Sequence, residues 1–277
     1  MSVSHILVPV GFTDRCIGAA DFAAHLAVRF KAKITLFRVE LPEGDPIWIA
    51  EHVSRAEKQL AGFLGHSSNG TTVQRIVRVD SDVADAVVRL AADIGANLIA
   101  SPTHGYGGLR RRLMGSVTAQ LLRDASCPVW TSAHLGSAPA AEWLDPKDIV
   151  CAVDRHPESI TVLRWASQMA ADLGARLHIA RAVRVHATHG SAEDSWELNL
   201  RVIPDARADL EQFLYERGIH GEVLVEPGSI LDLLPPAVER LRAGLLVIGK
   251  GSWRAAGELG SHTYQIIREV PCPVVSV

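Results

Sequence analysis

The chain repeats itself, and that constrains its fold more than any other feature. Gly115-Ser116-x-Thr118 runs through Leu121-Leu122-Arg123 to Cys127-Pro128-Val129. At an offset of 145, Gly260-Ser261-x-Thr263 runs through Ile266-Ile267-Arg268 to Cys272-Pro273-Val274. Ile6–Val10 matches Ile149–Val153 at an offset of 143, and Ala96–Ala100 matches Ala243–Val247 at 147. Three matches in one order at similar offsets point to a tandem duplication rather than a single repeated motif inside a larger fold. A length of 277 residues suits two such units. The stretch from His134 to Lys147 is rich in small residues, Gly and Pro, as a linker would be. The expected organisation is a first domain over 1–135, a linker over 136–147 and a second domain over 148–277.

Within each unit, strand and helix signals alternate. Residues 5–10 form a short apolar run ended by Gly11, which reads as a buried strand. Ala19, Ala20, Ala23, Leu26, Ala27 and Phe30 follow at helical spacing. Strands are expected over 33–39, 72–79, 98–100 and 129–131, with helices over 48–64, from Val83 to Ala91 and over 116–125. The second unit repeats the pattern, with strands near 149–153, 176–183, 221–226, 245–248 and 273–277. Buried strands alternating with helices predict a parallel, doubly wound sheet in each unit. Such sheets bind ligands at the carboxyl ends of their strands, where the strand order reverses.

Composition removes several function classes. Hydrophobic residues make up 48% of the chain and charged residues 21%, so disorder is excluded as the main state. Lys plus Arg number 28 against 31 Asp plus Glu, a net charge of −3 that argues against a dedicated nucleic-acid binder. No stretch reaches the ~18 consecutive apolar residues of a membrane span, and the N-terminus lacks a basic region and a cleavage site. The four cysteines, Cys16, Cys127, Cys151 and Cys272, form no C-x-x-C pair. Reduced, mostly buried thiols in a cytoplasmic protein are expected.

The loop after the fourth strand of the first unit carries the strongest chemical signal. It runs from Ser101-Pro102-Thr103-His104-Gly105 to Gly115-Ser116, with nine residues between the two glycines. Glycines let backbone approach a ligand, and Gly-Ser at a helix start offers N–H groups and a hydroxyl to an anion. On the residues alone, phosphate binding stands beside a plain loop end and helix cap.

This loop resembles the nucleotide-binding signature of the universal stress protein family, G-x2-G-x9-G-[ST]. The run to Cys127-Pro128-Val129 and the opening Ile6–Val10 strand are also similar to that family, in two copies covering nearly the whole chain. The resemblance implies two tandem Rossmann-like domains, each with a five-stranded parallel sheet flanked by helices. It implies ATP, with magnesium, as the candidate ligand, though some members of the family do not bind it. In the first unit it carries over to Thr103, His104, Gly105, Gly115 and Ser116. Pro102 stands where the signature's first glycine falls, which removes a backbone donor. Gly11 stands where the family has an Asp beside the adenosine. In the second unit it carries over to Asp154, Gly249, Gly251, Gly260 and Ser261, but that loop is two residues shorter than the signature. Each unit thus keeps a different half of a site. The implied function is a stress-response binding and regulatory module with a partly degenerate nucleotide site in the first domain. The alternative is a scaffold holding another small ligand or a protein partner. An ATP-hydrolysing enzyme is disfavoured, because no Gly-Lys-[Ser/Thr] of the Walker type is present.

Other residues carry weaker signals. Arg110-Arg111-Arg112 reads as a solvated basic face before a phosphate clamp. His186, His189 and Glu193 lack the spacing of a metal site. Ser116 lacks the G-x-S-x-G context of a hydrolase nucleophile. The two units are expected to pair within the chain through their last strands, Pro128–Thr131 and Pro273–Val277, which would otherwise be exposed edges. Further oligomerisation is left open.

Overall fold

The computed structural model describes all residues except 1–2, 65–69, 104–113, 135–138, 155, 157, 184–191 and 251–260, and except the side chains of 192–200, 261 and 262. The described chain divides into two compact units, with the division between Leu144 and Asp145.

The first unit runs β1 (His5–Pro9), α1 (Asp14–Phe30), β2 (Lys33–Glu40), α2 (Pro46–Gly62), β3 (Val73–Val79), α3 (Val83–Asp93), β4 (Leu98–Ala100), α4 (Ser116–Asp124), β5 (Val129–Thr131) and a short α5 (Ala141–Leu144). Its strands lie in the order β3-β2-β1-β4-β5. Every pairing is parallel, with Ile6 opposite both Ile34 and Leu98. Ile6, Leu7, Val8, Ile34, Leu36, Leu98 and Ile99 are fully buried, as a sheet covered on both faces requires. α1 packs on β1 and β2, α2 on β2 and β3, and α3 and α4 touch each other. The alanine face of α1, Ala19, Ala20, Ala23, Ala24 and Ala27, lets that helix lie close to the sheet.

The second unit repeats the plan with β6 (Asp148–Ala152), α6 (Ser159–Leu173), β7 (Arg176–Val183), α7 (Ala192–Tyr215), β8 (Glu222–Pro227), α8 (Ile230–Leu241), β9 (Leu245–Ile248), α9 (Ser261–Glu269) and β10 (Val274–Ser276). Its order is β10-β9-β6-β7-β8, with parallel pairing of β6 to β7 and β9 and of β7 to β8. The sheet architecture expected from the alternating pattern is therefore present twice. The residues expected to form a linker include one helical turn, α5, which the run of small residues did not suggest.

The two units also share their punctuation. α1 ends at Lys31 and α6 ends at Gly174, 143 residues later, and both residues take the left-handed conformation, at φ 53° and 64°. The first-strand positions His5 and Asp148 each bond to the second strand. His5 Nε2 lies 2.8 Å from Thr35 Oγ1, and His178 Nε2 lies 2.7 Å from Asp148 Oδ1. The imidazole has changed strands between the two copies, while the polar bridge has stayed.

Candidate functional site

In the first unit the strand order reverses between β1 and β4, so Val10–Thr13 and Ser101–Thr103 flank the switch point. Ser101 N–H donates to the Trp130 carbonyl, which continues the β4–β5 ladder to the edge of the loop. Thr103 is buried, and its hydroxyl donates to the Ser132 carbonyl at 3.0 Å. Its side chain therefore fixes the loop to the sheet, and its carbonyl accepts from Gly115 N–H at 2.8 Å. Thr118 closes the same turn by donating to the Pro102 carbonyl at 2.8 Å. Pro102 thus loses a donor but keeps its acceptor in use. These bonds bring both ends of the loop, Thr103 and Gly115-Ser116, together at the carboxyl edge of β4. His104, Gly105 and Arg110–Arg112 lie outside the described residues.

Gly115 is the N-cap of α4, with φ −62° and ψ 143°, and being a glycine it caps the first turn with no side chain. The other three long helices of this unit are capped, by Thr13, Asp45 and Asp82. Among the described residues no side chain accepts from the first-turn amides of α4, which keeps its dipole, and Ser116 is exposed beside them. That is the equipment for an anion.

The β1 side of the switch point is different. Gly11 offers no carboxylate, and its N–H donates to Cys16 Sγ at 3.3 Å. Phe12 follows at φ 53°, in the left-handed region that a bulky residue seldom enters. Its ring meets Phe63 edge to face at 6.0 Å, and the Arg38 guanidinium stands 5.3 Å from its centre. Arg38 Nε donates to Glu40 at 2.7 Å, and Arg38 Nη1 lies 3.4 Å from the Val10 carbonyl. Sequence reasoning passed over Phe12, Arg38 and Phe63. The repeat held the signal, because Arg38 aligns with Arg181 at the same 143-residue offset as the first strands.

In the second unit, Asp154 follows β6 as expected. Its Oδ1 accepts from His156 N–H at 2.9 Å and from Ser159 Oγ at 2.7 Å. The carboxylate is thus engaged in shaping the turn into α6. Gly249 lies at the end of β9, next to Lys250, whose N–H donates to the Val277 carbonyl. Gly251 and Gly260 lie outside the described residues, as does the side chain of Ser261, which opens α9. His186 and His189 also lie outside them. Among the described residues no cluster of His, Cys, Asp or Glu could hold a metal. No helix among them is long and apolar enough to cross a membrane.

Two doubly wound domains, each with its switch point at a loop leading into a helix, define a tandem of Rossmann-like α/β units. Residues 2–132 and 146–277 each match the model of the universal stress protein family, and the chain belongs to that family. A Staphylococcus epidermidis protein described as a universal stress protein is 27% identical over 140 residues, covering 47% of this chain and 83% of its own. The solved structure of a universal stress protein from Archaeoglobus fulgidus covers 99% of this chain and 96% of its own, with a TM-score of 0.74 at 16% identity. One from Pseudomonas aeruginosa covers 100% and 93%, with a TM-score of 0.67 at 17% identity. At such identities the structural likeness establishes the fold.

Proposed function

We propose that the chain is a binding and regulatory module whose first unit holds the phosphates of an ATP-type nucleotide, with magnesium, in the loop from Gly105 to Ser116. The observation that carries this reading is the start of α4 at Gly115, which no side chain caps among the described residues, beside the exposed Ser116. The family's nucleotide signature falls on these residues. The base and ribose are held weakly, because Gly11 supplies no carboxylate and Phe12, Arg38 and Glu40 bind one another on that side. Affinity therefore follows the phosphates. Thermal unfolding with and without ATP and magnesium tests this. Nucleotide at 100 times its dissociation constant adds about 2.7 kcal/mol of stability. Gly115→Val removes that gain while leaving the fold, since φ −62° accommodates a side chain. Gly260→Val leaves the gain intact. ATP stabilisation that survives Gly115→Val but not Gly260→Val would assign the phosphates to the second unit.

A second reading, a scaffold for a different small ligand or a protein partner, draws on the same Phe12–Arg38 cluster and on Pro102 at the signature's first position. Adenosine and ATP both failing to shift the melting temperature would favour it.

A further inference from the structure

The first half of α2 carries apolar side chains that no core covers. Of the 17 residues in this helix, only Ala56 and Leu60 are buried. Ile47 is 73% exposed and Trp48 41% exposed, and every residue of 41–48, which lead from β2 into the helix, is exposed. Val79, at the end of β3, is 42% exposed. It belongs to the same corner. Arg75 donates to the Leu60 and Phe63 carbonyls at 2.8 and 2.9 Å, which puts the odd-numbered positions of β3 on the α2 side of the sheet. The turn from β2 into α2 is short, so the first turn of α2 lies beside the ends of β2 and β3, where Glu40 pairs with Val79. Lone exposed apolar residues are ordinary, but a cluster of them marks an interaction surface.

Trp48 is held in place although it is exposed. Its indole stacks on the His52 ring, with 3.5 Å between centres and 25° between planes. His52 Nδ1 lies 2.9 Å from the Trp48 carbonyl, which fixes the imidazole under the indole. Gly44, at φ 97°, also closes on the indole, and a Cβ at that position would lie 3.0 Å from it. Asp45 accepts from the Ile47 and Trp48 N–H groups at 2.9 and 2.8 Å and so anchors the first turn. A large aromatic side chain held this way loses little freedom when a partner covers it, and such residues dominate the energetics of interfaces.

Charge sets the class of partner. Residues 40–54 contain Glu40, Glu43, Asp45 and Glu51 and no Lys or Arg. Residues 79–88 contain Asp80, Asp82 and Asp85, again with no Lys or Arg. Arg38 pairs with Glu40, and Arg89 pairs with Asp80 and Asp85. Asp45 and Asp82 cap α2 and α3. Glu43 and Glu51 stand exposed, with no ion pair among the described residues. We propose that this corner of the first unit docks a basic amphipathic segment of a partner protein. The apolar side chains of that segment cover Ile47, Trp48 and Val79, and its Lys or Arg side chains meet Glu43 and Glu51. A cation beside Trp48 gains further from the ring face. Nucleic acid or an anionic lipid surface would instead meet like charge here. None of these residues lies in the loop assigned to the phosphates, so the proposal does not rest on the nucleotide reading.

The probe is a labelled amphipathic peptide built only of leucine and lysine, titrated with the full chain and followed by fluorescence anisotropy. One saturable site is expected, weakening as salt is added. Trp48→Ala and Ile47→Ser each weaken it tenfold or more, and because both side chains are exposed the variants keep the fold. Glu43→Gln combined with Glu51→Gln weakens it at least threefold and flattens the salt dependence. Val28→Ser, at an exposed apolar position of α1, leaves it unchanged. A peptide with serine in place of leucine, or glutamate in place of lysine, binds at least tenfold more weakly. The proposal is overturned if the leucine–lysine peptide shows no saturable binding, binds Trp48→Ala as tightly as wild type, or is matched by either control peptide. Sedimentation supplies a last check, because self-association of the wild type that Trp48→Ala abolishes would assign the face to a second copy of this chain instead.

Discussion

Asp148 shows how one side chain couples this fold to pH. It is buried at the start of β6, yet Arg176 Nη2 donates to it at 2.9 Å and His178 Nε2 lies 2.7 Å away. Burial alone would raise its pKa. The bonds from Arg176 and His178 outweigh that, and the carboxyl is held below its ordinary value. A carboxyl in that state binds fewer protons when folded than when unfolded. Its contribution to stability is therefore full above the ordinary carboxylate range and is lost as the pH falls through the folded-state value. Asp148→Asn keeps the shape and removes the charge. The stability gap between wild type and this variant, measured by urea unfolding, should be constant from pH 7 to about 5 and narrow below about 4. A gap that widened on acidification would mean that the carboxylate is not held as described. The first unit places His5 and Thr35 at the matching positions, so it lacks this carboxylate.

At the level of elements, the sequence was most legible where period and composition agreed. The buried strands of both units stood out as short apolar runs, because a sheet covered on both faces has no polar side to alternate with. The caps were less legible. A terminating Gly174 is an ordinary signal, but Lys31 gives none, although it takes the same left-handed conformation at φ 53° and donates its N–H to the Ala27 carbonyl. Tertiary register overrides the local preference there, because β2 must begin at Lys33 to align with His5. That conflict has a measurable cost. A non-glycine residue in the left-handed region is disfavoured by roughly 1–2 kcal/mol, and glycine recovers part of this against its greater freedom in the unfolded chain. Lys31→Gly should stabilise the first unit by about 0.5–1 kcal/mol, and Gly174→Lys should destabilise the second by a similar amount. Guanidinium unfolding of the two variants checks both signs. An unchanged midpoint in Lys31→Gly would show that the cap carries no strain.

Across the whole molecule, the duplication was readable because the Gly-Ser and Cys-Pro-Val runs were kept in both copies. The site was readable only in part, since its loops diverged while its scaffold did not. The signature glycines pointed to the α4 start, but Phe12, Arg38 and Phe63 come from three separate elements and meet only after folding. No local pattern marks such a cluster. Each unit has its own pair of thiols, Cys16 and Cys127 in the first and Cys151 and Cys272 in the second, all buried, and of these Cys127 and Cys272 correspond in the repeat. Burial pushes the Cys272 thiol up to about 12 and raises the Cys151 thiol further still. The thiolate is the reactive species, so native Cys151 and Cys272 should resist an aromatic disulfide reagent at pH 8, burial shields Cys16 and Cys127 from it, and the denatured chain yields four reactive thiols. Each unit has its own buried core, and cores of this size open cooperatively. In intermediate denaturant, brief alkylation followed by mass spectrometry should therefore label thiols in pairs, Cys16 with Cys127 or Cys151 with Cys272. Chains carrying a single label, at Cys151 alone for instance, would show that the units do not unfold as cooperative bodies.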